Sequence, residues 1–108
     1  MRLELHPDAR LELQAAVDWY DSRDARAADD FDQAIRAALK EIQDHPRAWT
    51  PVIMRRAAGL GIRQLVLRRF PFTLPYVVRE ELVVVLAVAH VRRRPGYWLK
   101  RLESVGNR

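Results

Sequence analysis

Between residues 90 and 98 the chain gathers most of the side chains that could act on a charged partner: His90, then Arg92, Arg93 and Arg94, then Tyr97 and Trp98, in the run HVRRRPGYW. Arginine holds phosphates and carboxylates through paired hydrogen bonds, and a tyrosine or tryptophan ring offers a face for stacking. Arg63, in IRQLVLRR, adds a cation from a neighbouring strand. Arg63, Arg92, Arg93, Arg94, Tyr97 and Trp98 together form a candidate target-binding surface for nucleic acid or an acidic protein. His90 and Tyr97 also suit a sharper chemistry. A metal-free ribonuclease needs a general base, a general acid and cations that stabilise a developing phosphorane. His90 could act as base or acid, Tyr97 as acid, and the arginines as the charge stabilisers. Against that stand two plainer roles, a hydrogen-bonded structural histidine at a strand end and a Trp98 that anchors the C-terminal segment by packing.

These residues follow an apolar scaffold. Leu82 to Ala89, LVVVLAVA, has no alternation and reads as a central strand covered on both faces. The preceding segment, with Leu74, Tyr76 and Val78, is a further strand in which Pro75 marks an edge or a bulge. Arg79-Glu80-Glu81 is the hairpin tip between them, without the Asn-Gly or Asp-Gly pair that such turns favour. Ile62 to Arg69 alternates and is a strand, apolar on most of both faces, and Phe70-Pro71-Phe72 is a turn or an edge position. Arg47 to Gly61 is less patterned, with a short strand expected at Val52-Ile53-Met54, Trp49 at the core edge and a turn at Gly59 and Gly61.

The first half is helical. Arg2 to His6 alternates as a short half-buried strand that Pro7 ends, and Pro7 with Asp8 suits a helix start. Ala9, Leu13, Ala16, Val17 and Tyr20 form one helical stripe up to about Asp21, with Arg10, Glu12, Gln14 and Asp18 elsewhere on the wheel. A short turn, DSRD, precedes a second helix from about Ala25 to Asp44, with a stripe of Ala28, Phe31, Ile35, Ala38, Leu39 and Ile42. Asp29, Asp30 and Asp32 are solvated surface on it, since consecutive helical residues point in different directions. The expected fold is α+β: an N-terminal strand, then an antiparallel helical hairpin packed on one face of a three- to four-stranded, mainly antiparallel sheet.

Composition bounds the rest. The 108 residues suit a single domain, 1–108, with one core. There is no cysteine, and His6, His45 and His90 are too scattered for a zinc cluster, so neither disulfide nor metal nor other cofactor is expected. No apolar run approaches ~20 residues and no basic-then-apolar leader is visible, which points to a soluble, cytoplasmic chain without a membrane partner. The net charge of +5 conceals a division. Residues 1–45 carry six Lys/Arg against eleven Asp/Glu, and residues 46–108 carry thirteen against three. A basic face of this kind attracts phosphates or acidic polypeptide with a salt-dependent strength.

The order of these elements carries a resemblance. LELHPDARLELQAAVDWY, the helix from Phe31 to Pro46 ending in DHP, GLGIRQLVLRRFPFTLPYVV and VLAVAHVRRRPGYW together resemble toxins of the RelE/ParE superfamily, the toxic partners of bacterial type II toxin–antitoxin modules once grouped as plasmid stabilisation proteins. The resemblance implies a cognate antitoxin that wraps and neutralises the toxin in a hetero-oligomer. It also implies one of two targets, DNA gyrase for ParE-like members or the ribosome and its mRNA for RelE-like mRNA interferases. Where the ribonuclease branch places an arginine early in the third strand this chain has Thr73, and where it has one after the last strand this chain has Val91. The lysine pair of its second strand falls near Gln64 and Val66. Tyr97 keeps the tyrosine position, and Arg93 could serve as a cation. Losing transition-state cations costs a nuclease several powers of ten in rate. The resemblance therefore leans to a ParE-like gyrase inhibitor that arrests growth without being an enzyme. The alternatives are an endoribonuclease using His90 and Tyr97, and a degenerate, non-toxic member acting only as a binding module.

Overall fold

Pro7 cannot extend a strand, and it turns the chain from β1 (Arg2–Leu5) into α1 (Pro7–Asp21). His6 caps that helix through its ring, with Nδ1 accepting from the Asp8 amide at 3.1 Å, while Nε2 lies 3.0 Å from the Ser104 hydroxyl. Asp24 caps α2 (Ala25–Asp44) by accepting from the Arg26 amide at 3.0 Å. The two helices pack as a hairpin joined by three residues, Ser22 to Asp24. A computed structural model describes residues 1–105 of the chain.

The sheet has six strands, more than the sequence predicted, because two of them span only two residues each. They are β1, β2 (Thr50–Pro51), β3 (Arg63–Val66), β4 (Phe72–Arg79), β5 (Leu82–Val85) and β6 (Ala89–His90). The order is β1-β5-β4-β3-β2, with β6 pairing β4, and all pairs are antiparallel except β1 with β5. The strand expected at Val52–Met54 is displaced to Thr50–Pro51, and Ile53 is almost fully exposed. Gly59 and Gly61 make the expected turn at positive φ, 77° and 73°.

β5 is an interior strand, between β1 and β4, as its unbroken apolar run implies, but the strand predicted through Ala89 is interrupted at Leu86–Val88. Pro75 explains why. In an extended strand the N–H and C=O of one residue point to the same side, and the Pro75 carbonyl accepts from the Leu86 amide at 2.8 Å. Its missing N–H therefore faces the β5–β6 side, where three residues, Leu86 to Val88, stand opposite two, Leu74 and Pro75, between the Tyr76–Val85 and Thr73–Ala89 pairs. The ladder from β4 to β3 continues past the proline undisturbed.

Both faces of the sheet are covered. On one, the helical hairpin contributes Ala16, Phe31, Ile35, Ala38 and Ile42 against Leu65, Phe72, Leu74, Tyr76, Val83 and Val85. The other face, which the sequence left without a cover, is closed by two pieces. A single 3₁₀ turn (Arg55–Ala57) brings Ala57, and the C-terminal segment brings Trp98 and Val105, over Val77, Val84, Leu86 and Ala89. The C-terminal segment runs through a second 3₁₀ turn (Leu99–Arg101) into α3 (Leu102–Val105). No helix among the described residues is long and apolar enough to cross a membrane.

Candidate functional site

The bulge at Leu86–Val88 and the basic run after β6 meet at one side chain of α1. Glu12 lies three residues after the fully buried Ala9 and four before the buried Ala16, so it occupies the helix's inward stripe. That corrects its expected place elsewhere on the wheel. Its side chain is 15% exposed, and its carboxylate accepts from five donors. Oε1 accepts from the Val88 amide at 3.1 Å and from Arg101 Nη1 at 2.9 Å. Oε2 accepts from the Tyr97 hydroxyl at 2.7 Å, Arg93 Nη1 at 3.0 Å and Arg101 Nη2 at 2.9 Å. Arg101 also donates to the Leu86 carbonyl at 2.8 Å, so one ion pair ties the helix, the bulge and the C-terminal segment together.

The charges follow from this packing. Burial alone would raise the Glu12 carboxyl, but hydrogen bonds from Arg101 and Tyr97, the Arg101 charge and the Val88 amide hold it below its ordinary value. The hydrogen bond to Glu12, outweighing the cost of burial, raises Arg101. Tyr97 is pushed up to about 12 by burial first and then by its bond to Glu12 and that residue's charge, against the opposing pull of Arg93 and Arg101. Glu12 thus stays an anion and Tyr97 keeps its proton, directed at Glu12 rather than at solvent.

The predicted residues divide accordingly. Arg93 is half in the Glu12 network and lies over the Tyr97 ring, with its guanidinium carbon 3.7 Å from the ring centroid. Arg92 and Arg94 are exposed, and their guanidinium groups take no hydrogen bond or ion pair among the described residues. His90 is half-buried against Phe72, with ring centroids 5.1 Å apart. Its Nδ1 accepts from the Arg92 amide at 3.1 Å, which places the proton of the neutral ring on Nε2. Trp98 is 4% exposed and packs in the cluster on the second face of the sheet, and it is among the residues that line the groove with Arg94 and Tyr97. Arg63 is separated from the basic run. It pairs with Tyr76, four residues along β4 from the Phe72–His90 pair, roughly 13 Å at strand rise. Arg63 also lies on the helical-hairpin face, since it stands opposite Tyr76.

Two grooves flank the His90–Arg93 ridge. The first, about 400 Å³, runs between α1 and the β4–β6 edge and is mostly apolar, with Trp19, Tyr20, Phe72 and Val88 on its walls and Glu12 at its floor. Trp19 is half exposed there, under the Arg23 guanidinium at 3.6 Å. The second, about 280 Å³, lies on the opposite face and includes Gln64, Thr73, Val91, Arg94 and Tyr97. Gly96 shapes its wall, because φ is +78° there and an added Cβ would stand 2.7 Å from Met54 Sδ. Gln64, Thr73 and Val91, three positions of the ribonuclease comparison, do come together in space, and all are uncharged.

The helical spacing in the sequence could have revealed Glu12, since a carboxylate three residues from one stripe alanine and four from another is an acid on an inward stripe. Its partner Arg101 carried no comparable signal.

Comparison with known proteins agrees with this architecture. The family model described as the ParE toxin of the type II toxin–antitoxin system parDE matches residues 3–95. Among solved structures, a chain of the chromosomal ParDE TA system from P. aeruginosa superimposes with a TM-score of 0.69 at 26% identity, covering 85% of this chain and 97% of that one. No curated protein matches. Sheet, helical hairpin and family match together establish the chain as a member of the ParE toxin family, the toxin component of a type II toxin–antitoxin module, a class that implies an antitoxin partner.

Proposed function

We propose that this toxin arrests growth by binding DNA gyrase, with the exposed guanidinium groups of Arg92 and Arg94 as its principal target contacts, and that it is not a nuclease. One observation carries the reading. At three positions where a ribonuclease of this superfamily would place its cations the groove presents Gln64, Thr73 and Val91, while the Tyr97 hydroxyl is committed to Glu12. A phosphorane needs donors aimed at its developing charge. Two arginines do line that groove: Arg93, which is paired with Glu12, and Arg94, which is exposed and takes no side-chain hydrogen bond among the described residues. What is left on the ridge is a pair of exposed guanidinium groups suited to docking. The antitoxin neutralises the toxin by laying an acidic, partly apolar segment across the basic face, where it folds on binding.

The test is gyrase supercoiling with purified toxin, alone and then with its antitoxin. Inhibition that the antitoxin reverses, and that Arg92→Ala with Arg94→Ala abolishes, is the expected result. Growth arrest with supercoiling intact and translated messages cleaved would overturn the proposal and return His90 and Tyr97 to a catalytic role.

A further inference from the structure

Arg63, removed from the basic run, lies in a different charged site. At the hairpin end of the sheet a cavity of about 350 Å³ is lined by Arg47, Arg63 and Arg79, with Glu80 at its rim and Tyr76 and Val78 beneath. Two hydrogen bonds build it. The Tyr76 hydroxyl donates to the Pro46 carbonyl at 2.6 Å, and Arg63 Nη1 donates to the Trp49 carbonyl at 2.7 Å. The chain from Pro46 to Trp49 is thereby pinned to the sheet at both ends, and Arg47 is held over the cavity between the pins.

The electrostatics of this arrangement are unbalanced. Among the described residues none of the three arginines forms an ion pair, although Glu80 lines the same cavity. Arg79 donates only to the neighbouring Val78 carbonyl, and Arg63 gives one of its five N–H groups to Trp49. Three cations against one anion leave a net +2 in a concave site, where field lines concentrate and like charges repel. A carboxylate would match half of that charge with two oxygens. A phosphate monoester carries about −1.5 to −2 at neutral pH and presents three oxygens to paired guanidinium donors.

We infer that the Arg47–Arg63–Arg79 cavity is an anion site for a phosphate monoester, separate from the basic run and independent of which target the toxin poisons. Isothermal titration of the full-length chain with inorganic phosphate and with 5′-AMP, at constant ionic strength, tests it. Saturable binding with a Kd below about 1 mM is expected, at least tenfold weaker in a variant carrying Arg47→Ala and Arg79→Ala. Both positions are exposed, so this variant should melt where the parent does in chloride buffer. A second variant, Arg92→Ala with Arg94→Ala, should bind phosphate as the parent does. Tighter binding of 5′-AMP assigns the site to a nucleotide, and equal affinity assigns it to the phosphate group alone; either sustains the inference. Absence of saturable binding, equal binding in the Arg47/Arg79 variant, or matching binding of acetate would overturn it.

Discussion

Replacing Glu12 with Gln should be a damaging change for its size, because it removes a charge that accepts five hydrogen bonds. Glu12 and Arg101 are 15% and 11% exposed, so the pair is close to a buried one. Breaking a buried pair by removing one partner costs about 3–5 kcal/mol. Two features reduce that figure. Glutamine keeps one carbonyl acceptor for Arg101, and Arg93, half exposed, adds little as an ion pair. A loss of roughly 2–3 kcal/mol is left, a large share of the ~5–15 kcal/mol that holds a typical domain together. For a domain of this size it should lower the thermal midpoint by roughly 8–15 °C. Thermal and urea melts measure this directly. Spectrophotometric titration adds a second reading, since without the Glu12 charge and its accepted hydrogen bond the Tyr97 ionisation should move down from about 12. A paired variant, Glu12→Leu with Arg101→Met, should cost less than Glu12→Gln alone, because no charge is left stranded. A midpoint within ~2 °C of the parent and an unmoved tyrosine titration would refute the idea that Glu12 organises the site.

The same network makes stability depend on pH at both ends. The Glu12 carboxyl lies below its ordinary 4.5, so its contribution is complete above that pH and is lost as the pH falls through the lower folded value; melts from pH 6 down to 2 should show the decline, and Glu12→Gln should flatten it. Tyr97 has the opposite sign: its contribution is complete below pH 10 and is lost as the pH rises through about 12, so the C-terminal segment should stay docked at pH 10.5 by near-ultraviolet circular dichroism. Gly96→Ala should destabilise by about 1–2 kcal/mol, mostly from the positive φ, since Met54, Arg56 and Leu99 meet the new methyl with flexible side-chain ends; an unchanged urea midpoint would count against that backbone reading. Glu80, the one non-glycine residue at positive φ among those described, should gain about 0.5–1 kcal/mol when replaced by Gly, and a loss of stability there would mean that its side chain holds the turn.

The fold was legible wherever a local pattern and its tertiary outcome agree. The helical stripes of Phe31, Ile35 and Ile42, the stop at His45-Pro46 and the central position of Leu82–Val85 all follow from spacing and breakers, because each side chain's neighbours are set by its own element. Pro75 showed a discontinuity but not its location on the partner strand, since which side of β4 its missing N–H faces is decided by register. The site was less legible. Arg92, Arg93 and Arg94 are identical in sequence character, and only the position of Glu12 separates the one that is paired from the two that are not. Trp98 and Tyr97 are adjacent aromatics with opposite fates, one in the core and one at the groove, decided by the 3₁₀ turn that follows them.

The charge division of the chain also has a structural consequence that composition alone does not give. The acidic half forms β1 and the helical hairpin, and the basic half forms the other five strands and the C-terminal segment. Glu12 is where the acidic half reaches into the basic one. By pairing with Arg93 and Arg101 it commits two cations to holding the segment in place and leaves Arg92 and Arg94 exposed on the loop after β6. Toxicity and stability should therefore separate by residue. Arg92→Ala with Arg94→Ala should abolish growth arrest while leaving the melting midpoint close to the parent's, whereas Arg101→Ala should lower the midpoint along with everything that depends on the fold. If instead Arg92→Ala and Arg94→Ala arrest growth as the parent does, the target surface lies elsewhere, and the apolar groove beside Trp19 is the next place to mutate.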